Sequence, residues 1–467
     1  MGNNWQSYKL GELGTFRNGA NYNKNDYGNC YPVASVKNLF RGRFVTTDGL
    51  DAIKDGVIGN IDEYLLKKYD LLFARSSVKR EGSGQVAIVN ERPENCIFSG
   101  FTIRFRVEDS EKVDPLYLLY LFRSPKYREE FTRIATGTTI HNLSQANLAN
   151  VEIELPSIEV QKQLARILGA LDDKIELNRQ INNTLESMAQ ALFKSWFVDF
   201  DPVIDNALAA GNPIPDALQA KAERRRALRE NPGNPQQPLP AEIQQLFPSS
   251  FVFSEEMGWV PEGWEVSTIG NVVETTGGGT PSTKNPDFWE GGENPFCTPK
   301  DMSQLSSWVL MDTERHLTEV GVRKISSGQL PVGTVLMSSR APIGYLAISD
   351  VPVSVNQGII AMLPTSVFGP LYLLNWAKSH MRNITDRANG STFLEISKKN
   401  FRPIPFLVPN CEAVSLFNKQ AMTFQTRMLS LAEQTSALTK LRDSLLPKLL
   451  SGQIQIPKAE QQLADVI

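Results

Sequence analysis

Two long segments of the chain repeat apolar residues at alternating steps of four and three. The first runs from Leu164 to Trp196, and the second, shifted by 253 residues (417 − 164), runs from Phe417 to Leu449. A repeat near 3.5 residues is typical of a coiled-coil seam and not of an isolated surface helix. The pattern therefore predicts two long helices, over residues 156–200 and 409–452, that pack against each other.

The predicted seam has polar as well as apolar positions. Asn178 and Asn182 lie on it, where polar residues fix the register at some cost in stability. Arg442 also lies on it, which predicts that the pairing frays there or leaves room for a partner. The apolar positions expected at the interface are Leu164, Leu168, Leu171, Ile175, Leu185 and Leu192 in the first segment, and Phe417, Phe424, Met428, Leu438 and Leu445 in the second.

The regions before the two helices have a different pattern. Residues 1–155 and 263–408 contain short apolar strands broken by Gly, Asn and Pro turns. Helices are expected to begin at Asp114-Pro115 and after Gly369-Pro370, because these residues cap and open helices. We therefore predict an α+β protein with two similar mixed α/β domains.

The connecting segments are less regular. Residues 201–262 form a predicted linker, in which 203–250 look irregular apart from a charged helix over 221–230, and residues 453–467 form a tail. We interpret the Arg224-Arg225-Arg226 run in that helix as a solvated face, which is the usual role of such a run.

The two halves of the chain are internal repeats. Ala135-Thr136-Gly137-Thr138-Thr139-Ile140 matches Ala388-Asn389-Gly390-Ser391-Thr392-Phe393, and the shift of 253 residues (390 − 137) continues without gaps into the helices. An antiparallel helix pair would make this repeat a pseudo-twofold axis with one domain at each end, whereas a parallel pair would place both domains at one end. We expect the antiparallel arrangement.

Composition and charge narrow the class of protein. The chain has 467 residues, of which 41% are hydrophobic and 21% charged, and neither a membrane span nor an N-terminal signal sequence is expected. The spacing of Cys30, Cys96, Cys297 and Cys411 favours reduced thiols and a cytoplasmic location. The net charge of −3 argues against a protein that coats nucleic acid through bulk charge.

The motifs of a self-contained enzyme are missing from the sequence. The nearest match to an amino-methyltransferase motif, Asp114-Pro115-Leu116-Tyr117, lacks a second proline and is better explained as a helix start. Gly277-Gly278-Gly279 has no phosphate-loop or dinucleotide spacing, and His141, His316 and His380 are too isolated for a metal site. We expect no catalytic residue, no metal and no cofactor bound by this chain.

Three stretches resemble the specificity subunits of type I restriction-modification systems. Leu192-Phe193-Lys194-Ser195-Trp196-Phe197-Val198-Asp199-Phe200-Asp201-Pro202 resembles the end of their first conserved helix. Gly258-Trp259-Val260-Pro261-Glu262-Gly263-Trp264 resembles the entry to their second target-recognition domain, and Leu445-Leu446-Pro447-Lys448-Leu449-Leu450-Ser451-Gly452 the close of their second helix. The resemblance covers nearly the whole chain.

The resemblance implies a non-catalytic subunit that recognises double-stranded DNA, each domain reading one half of a bipartite target. The paired helices, roughly 65 Å long at about 1.5 Å per residue, would set the spacing and dock two modification (methyltransferase) subunits. Those subunits would bind S-adenosylmethionine and methylate adenine, and restriction subunits would add translocation and cleavage driven by ATP and Mg. The 203–250 insert is longer and richer in proline than the family pattern needs.

Loops rich in hydrogen-bond donors are the candidate DNA contacts, because bases are read by such side chains and phosphates by Lys, Arg and hydroxyl groups. Base readers are expected where the two halves differ. The candidates in the first domain are Lys37, Arg41, Arg43, Arg75, Ser76, Lys79, Arg80, Thr138 and Thr139, and in the second Lys300, Ser338, Ser339, Arg340, Ser391 and Thr392.

Two other functions are compatible with the same architecture. One is the recognition subunit of a two-protein restriction enzyme that cuts on both sides of its site. The other is a coiled-coil scaffold that binds protein and not DNA, which predicts no sequence-selective protection of DNA even with partners present. The missing motifs disfavour a self-contained nuclease or methyltransferase.

Overall fold

The computed structural model describes residues 5–40, 42–46, 49–91, 94–229, 239–390, 394–454 and 456–464. The chain divides into two compact units. The first unit comprises Met1–Ile175 with Ser436–Ile467, and the second comprises Glu176–Thr435. Each unit therefore contains one globular domain and a part of both long helices.

The domain of the first unit is built on a four-stranded antiparallel sheet whose strands lie in the order Gly14–Asn18, Thr102–Val107, Leu71–Ala74 and Val86–Ile88. A smaller sheet has the order Tyr27–Gly28, Ala52–Ile53, Tyr31–Ala34 and Ile97–Phe98. The helices are Pro115–Arg123, Pro125–Ile134, Gln145–Ala149 and, in the tail, Ile456–Ala464. Short 3-10 turns cover Leu10–Glu12, Lys24–Asp26, Val36–Leu39, Ile61–Tyr64 and Arg80–Gly82.

The domain of the second unit repeats this plan. Its main sheet has the order Thr275–Gly277, Ile359–Met362, Val335–Ser338, Leu346–Ser349 and Val309–Leu310, so the first four strands follow the same chain order as those of the first domain. A three-stranded sheet contains Arg315–Leu317, Asn294–Cys297 and Ser354–Val355. The helices are Ile269–Val272, Pro299–Ser303, Glu319–Val322, Pro370–Ser379, Met381–Asp386 and Lys398–Phe401, with a 3-10 turn at Pro286–Phe288.

The same two-stranded pairing closes each domain just before its long helix. Gln6–Lys9 pairs antiparallel with Glu152–Leu155 in the first domain, and Glu265–Thr268 pairs antiparallel with Pro405–Val408 in the second. The predicted fold class, two similar mixed α/β domains related by an internal repeat, is confirmed. The helix start at Asp114 is confirmed as well, because its carboxylate accepts the Tyr117 N–H at 2.8 Å.

The two long helices, Ile158–Phe197 and Cys411–Leu450, pair antiparallel. Within the second unit, Asn178 Nδ2 donates to Gln434 Oε1 at 2.9 Å, Asn182 Nδ2 donates to the Met428 carbonyl at 3.3 Å, and the Phe193 ring contacts Phe417. Residue numbers therefore fall along one helix as they rise along the other. The two seam asparagines use their polarity across the interface, as a register-fixing role requires.

The seam positions are buried or partly buried in each unit. In the first unit one apolar cluster contains Leu164, Leu168, Leu171 and Ile175 together with Leu438 and Leu445. In the second unit Phe417 and Met428 are buried, and Leu185, Leu192 and Phe424 are partly buried against the same core. Phe193 and Phe197, which the seam pattern leaves out, enter that core through ring contacts with Tyr372.

The expectation that pairing frays at Arg442 is wrong. The second long helix is continuous through this residue, and Arg442 Nη1 donates to Asp172 Oδ1 at 2.8 Å within the first unit. A seam position tolerates the guanidinium because a carboxylate on the facing helix pairs with it.

The linker is also more ordered than its composition suggests. The segment 203–250, which was predicted to be irregular, overlaps the helices Asp201–Ala210 and Ala241–Gln244 and contains the 3-10 turn Asp216–Leu218. The hairpin Phe251–Ser254/Gly258–Pro261 follows it. The charged helix is Gln219–Arg229. A small core of Ile204, Ala207, Ile214, Leu218 and Ala222 joins these elements.

The interpretation of the Arg224-Arg225-Arg226 run as a solvated face is wrong for its central residue. Arg225 and Asp205 form an ion pair in which their side chains are only 8% and 1% exposed. Arg224 Nη2 lies 3.4 Å from Asp201 Oδ1, whereas Arg226 is exposed. Three consecutive residues of a helix point about 100° apart, so one run serves both core and solvent.

The ion pair between Arg225 and Asp205 provides a stability prediction. Asp205→Ala leaves a buried guanidinium without its main carboxylate and should lower the free energy of unfolding by about 3–5 kcal/mol. Arg226→Ala, one residue away and exposed, should change it by less than about 0.5 kcal/mol. Chemical denaturation of both variants checks this, and equal stabilities would contradict the structural role of the pair.

A second prediction concerns pH. Glu186 on the first long helix accepts the Trp308 N–H at 2.7 Å, and burial raises its pKa from 4.5 to about 7. A carboxyl whose pKa is raised on folding makes the folded state lose stability as pH rises from about 4.5 to about 7. Glu186→Gln should flatten this part of the stability–pH profile, while the exposed-site variant Glu255→Gln should leave it unchanged. Parallel wild-type and E186Q profiles would refute the assignment.

Candidate nucleic-acid interface

A short β-ribbon projects from the main sheet of the first domain. Ser76–Ser77 pairs antiparallel with His141–Asn142, and Asn142 pairs in turn with Thr136 through backbone hydrogen bonds of 2.9 and 2.7 Å. The tip of the ribbon between Thr136 and Asn142 contains the Gly-Thr-Thr motif. Gly137 has φ 114°, and a Cβ at this position would lie 2.1 Å from the Ile140 carbonyl, so the tight tip requires glycine.

The ribbon is held on the domain core. It continues from Leu71–Ala74, a strand whose four side chains are fully buried. The return strand is anchored by Leu143, which is buried and donates its N–H to the Arg75 carbonyl at 2.8 Å. A rigid base of this kind lets an exposed ribbon hold side chains in fixed positions.

The second domain has the same backbone pairings at the equivalent positions, with different side chains. Asn389 and Glu395 exchange backbone hydrogen bonds of 2.9 and 2.8 Å, and the Ile396 N–H donates to the Ser339 carbonyl at 3.0 Å. Glu395 also pairs with Arg340. Arg340 and Glu395 therefore occupy the places that Ser76 and Asn142 occupy in the first domain.

The structure brings six of the predicted contacts together on the first ribbon and its flanks. Lys79, Arg80, Thr138 and Thr139 are exposed, and Glu81 is an exposed acid beside them. The Ser76 hydroxyl donates to Asn142 Oδ1 at 2.5 Å. Arg75 is half-buried with Nη1 donating to the Gly100 carbonyl at 3.1 Å, and Arg80 Nε donates to the Thr132 carbonyl at the same distance. These contacts pre-orient both guanidinium groups.

Other candidates of the first domain lie elsewhere. Lys37 is exposed in an ion pair of 2.8 Å with Asp51. Arg43 is a correction, because its guanidinium is largely buried, donates to the Tyr120 hydroxyl at 2.8 Å and to the Gly169 carbonyl at 3.0 Å, and pairs with Asp173. Arg43 therefore fastens the domain to the first long helix within its own unit. Arg41 lies outside the described residues.

The second domain requires two further corrections. Ser338 and Ser339 are buried, and the Ser338 hydroxyl donates to the Pro342 carbonyl at 2.8 Å. Neither side chain reaches the surface, because Ser338 ends a core strand. Lys300 is exposed and pairs with Glu314, and Arg340 is 38% exposed with Nη1 lying 3.7 Å from Glu395 Oε2. Ser391 and Thr392 lie outside the described residues.

Sequence reasoning missed Glu395 as a site residue. The signal was present, because the shift of 253 residues that aligns the Gly-Thr-Thr and Gly-Ser-Thr motifs also aligns Asn142 with Glu395 (395 − 142). The predicted contacts included only basic and hydroxyl side chains, whereas carboxylates also read bases by accepting a hydrogen bond from cytosine.

The described residues contain neither a metal-binding cluster nor a membrane-spanning helix. No group of three or more His, Cys, Asp or Glu side chains there is placed to hold a metal ion. None of the helices in the described part of the chain is both long and apolar enough to cross a membrane.

Known proteins resemble the chain over nearly its whole length. The specificity subunit of the type I restriction enzyme HindI from Haemophilus influenzae is 28% identical, over 96% of this chain and 99% of that protein. A putative type I restriction enzyme MjaX specificity subunit from Methanocaldococcus jannaschii is 23% identical, over 97% and 94%. The crystal structure of a type I S subunit from M. genitalium covers 96% of each chain at 16% identity with a TM-score of 0.50, which shows a shared fold.

The assignment to a family rests on a separate match in each half of the chain. The family model described as "Type I restriction modification DNA specificity domain" matches residues 2–187 and again residues 261–441. Each match contains one globular domain with its ribbon and most of the long helix that follows. The chain therefore belongs to the type I restriction-modification DNA specificity family, with two copies of the family's domain in one polypeptide.

Proposed function

We propose that this chain is the non-catalytic specificity subunit of a type I restriction-modification complex, in which each domain reads one half of a bipartite DNA target. The observation that carries the proposal is the set of backbone pairings, Thr136–Asn142–Ser76 in the first domain and Asn389–Glu395–Arg340 in the second, that recurs with two sets of side chains. Two readers of different half-sites need this combination, because the scaffold can be shared while the base contacts must differ.

The ribbon has suitable dimensions and chemistry for DNA. The major groove of B-DNA admits a two-stranded β-ribbon, and the base edges there present a distinct pattern for each base pair. Asn142 and Ser76 offer amide and hydroxyl groups in the first domain, whereas Arg340 and Glu395 offer a guanidinium and a carboxylate in the second. An amide suits adenine, a guanidinium suits guanine and a carboxylate suits cytosine.

Phosphate contacts in the first domain fall to the exposed cations next to the ribbon. Lys79 and Arg80 follow the Ser76–Ser77 strand after one residue, Val78, so they flank any base that the ribbon reaches. Such contacts position a protein on the duplex without reading sequence. Because the net charge of the chain is −3, we expect further positive surface to come from partner subunits.

We assign the remaining activities to those partners. Leu177 and Met188 on the first long helix and Met422 on the second are exposed apolar residues, as a docking surface for modification subunits requires. The modification subunits, two in number, would supply S-adenosylmethionine and adenine methylation. Restriction subunits would supply ATP- and Mg-dependent translocation and cleavage. The long helices would set the spacing between the half-sites.

Methylation mapping tests the proposed function directly. Deleting the gene for this chain should abolish N6-methyladenine at one bipartite motif throughout the genome, because no other subunit selects that motif. Single-molecule sequencing of the two strains measures it, and restoring the gene is the control. An unchanged methylation pattern, together with no selective protection of DNA by the assembled complex, would favour the protein-binding scaffold.

Phosphate contact by Lys79 gives a quantitative prediction. Lys79→Ala should weaken DNA binding by the assembled complex at all sequences and reduce the slope of log K against log salt by about 1, because one fewer counterion is released. Lys112→Ala is the matched control. Lys112 lies beyond Val107, at the end of the strand Thr102–Val107 that is away from the ribbon, and it forms an ion pair with Asp109. Salt titrations of binding that coincide for K79A and the wild type would remove Lys79 from the interface.

A further inference from the structure

Resting on the proposed function, we infer that Val78 and Ile140 form a paired apolar contact that reads the C5-methyl group of a thymine in the half-site bound by the first domain. The inference names specificity-determining residues beyond the hydrogen-bonding and basic side chains of the ribbon. It starts from two large apolar side chains that are unusually exposed, Val78 at 78% and Ile140 at 51%.

The ribbon places these two residues at the same end. Ser76 pairs with Asn142 and Ser77 with His141, and Val78 and Ile140 are the next residues beyond this last pair on the two chain segments. Side chains alternate between the two faces of a β-ribbon. Ser76 and Asn142 therefore share one face and Ser77 and His141 the other, and Val78 and Ile140 border both faces at the end of the ribbon.

This end of the ribbon has the two kinds of chemistry that a thymine–adenine pair presents. In the major groove, adenine offers an acceptor and a donor that suit an amide, and thymine offers an acceptor and an apolar methyl group. Asn142 and Ser76 form the polar part of this end, in mutual contact at 2.5 Å, and Val78 and Ile140 form the apolar part. Both aliphatic side chains are β-branched and therefore stiff, so they would meet a methyl group with little loss of rotamer freedom.

The surroundings favour DNA over a protein partner for this end of the ribbon. Single exposed apolar residues are ordinary on protein surfaces. Here the pair is flanked by exposed Lys79 and Arg80 on one strand and by exposed Thr138 and Thr139 on the other. Cations and hydroxyl groups around a small apolar centre match a groove lined by phosphates with a methyl group inside it.

The second domain differs at the two polar positions of the ribbon. The positions equivalent to Ser76 and Asn142 are Arg340 and Glu395, which form an ion pair. The residue aligned with Ile140 is Phe393, which lies outside the described residues. The combination of an amide with a methyl contact is therefore expected in the half-site of the first domain.

A double-mutant cycle, in which the two side chains and the thymine methyl group are removed separately and together, tests the inference. The complex assembled with its modification subunits first selects its preferred duplex from a randomised library, and each thymine is then replaced in turn by deoxyuridine, which removes only the methyl. One replacement in one half-site should weaken wild-type binding about fourfold, the value of one buried methyl group. In the double variant V78A/I140A the same replacement should have no effect.

Control variants separate the alternatives. V78T, which keeps the side-chain shape, should retain part of the methyl effect, and K112A, which changes an exposed residue away from the ribbon, should retain all of it. If the wild-type complex selects no sequence, the proposed function itself fails. If it selects a sequence but no thymine methyl matters, or the effect survives in V78A/I140A, only this inference is overturned. Loss of modification subunits from V78A/I140A without any methyl effect would show that this end of the ribbon binds protein.

Discussion

The antiparallel contact between the two long helices is the constraint on which the rest of the molecule depends. It joins residues far apart in sequence, as in the pair Asn178–Gln434, 256 positions apart, within one unit and the pair Asp172–Arg442, 270 positions apart, within the other. Each domain is completed only when helix segments from both halves of the chain pack together. The duplicated domains thereby share both long helices, because each unit contains a segment of each helix.

The repeated ribbon shows how one scaffold serves two recognition tasks. Backbone pairing, the glycine at the tip and the buried anchor residue are common to both domains, whereas the outward side chains differ in polarity and charge. The common features are those that backbone geometry requires, and the variable ones are those that a different base pair would require. The same separation explains why the Gly-Thr-Thr and Gly-Ser-Thr motifs are conspicuous and carry little information about the target.

Basic residues divide between structure and function in a way that charge alone does not reveal. Arg43, Arg225 and Arg442 each pair with a carboxylate on a different element, and each fastens one element to another. Lys79 and Arg80 stay exposed beside the ribbon. A guanidinium that is buried and paired cannot also contact phosphate, so the number of cations near a loop overstates its capacity to bind DNA.

By itself the sequence determined the architecture: the 3.5-residue repeat predicted both helices, and the internal repeat predicted two like domains. These features are periodic, and periodicity follows from local backbone geometry that neighbouring residues share. Only the tertiary structure decided that Ser338 is buried, that Arg43 is structural, and that Val78 and Ile140 are exposed at the same end of the ribbon. Each of these depends on which distant residues meet, because burial and ion pairing are properties of contacts across the fold and leave no periodic signal along the chain.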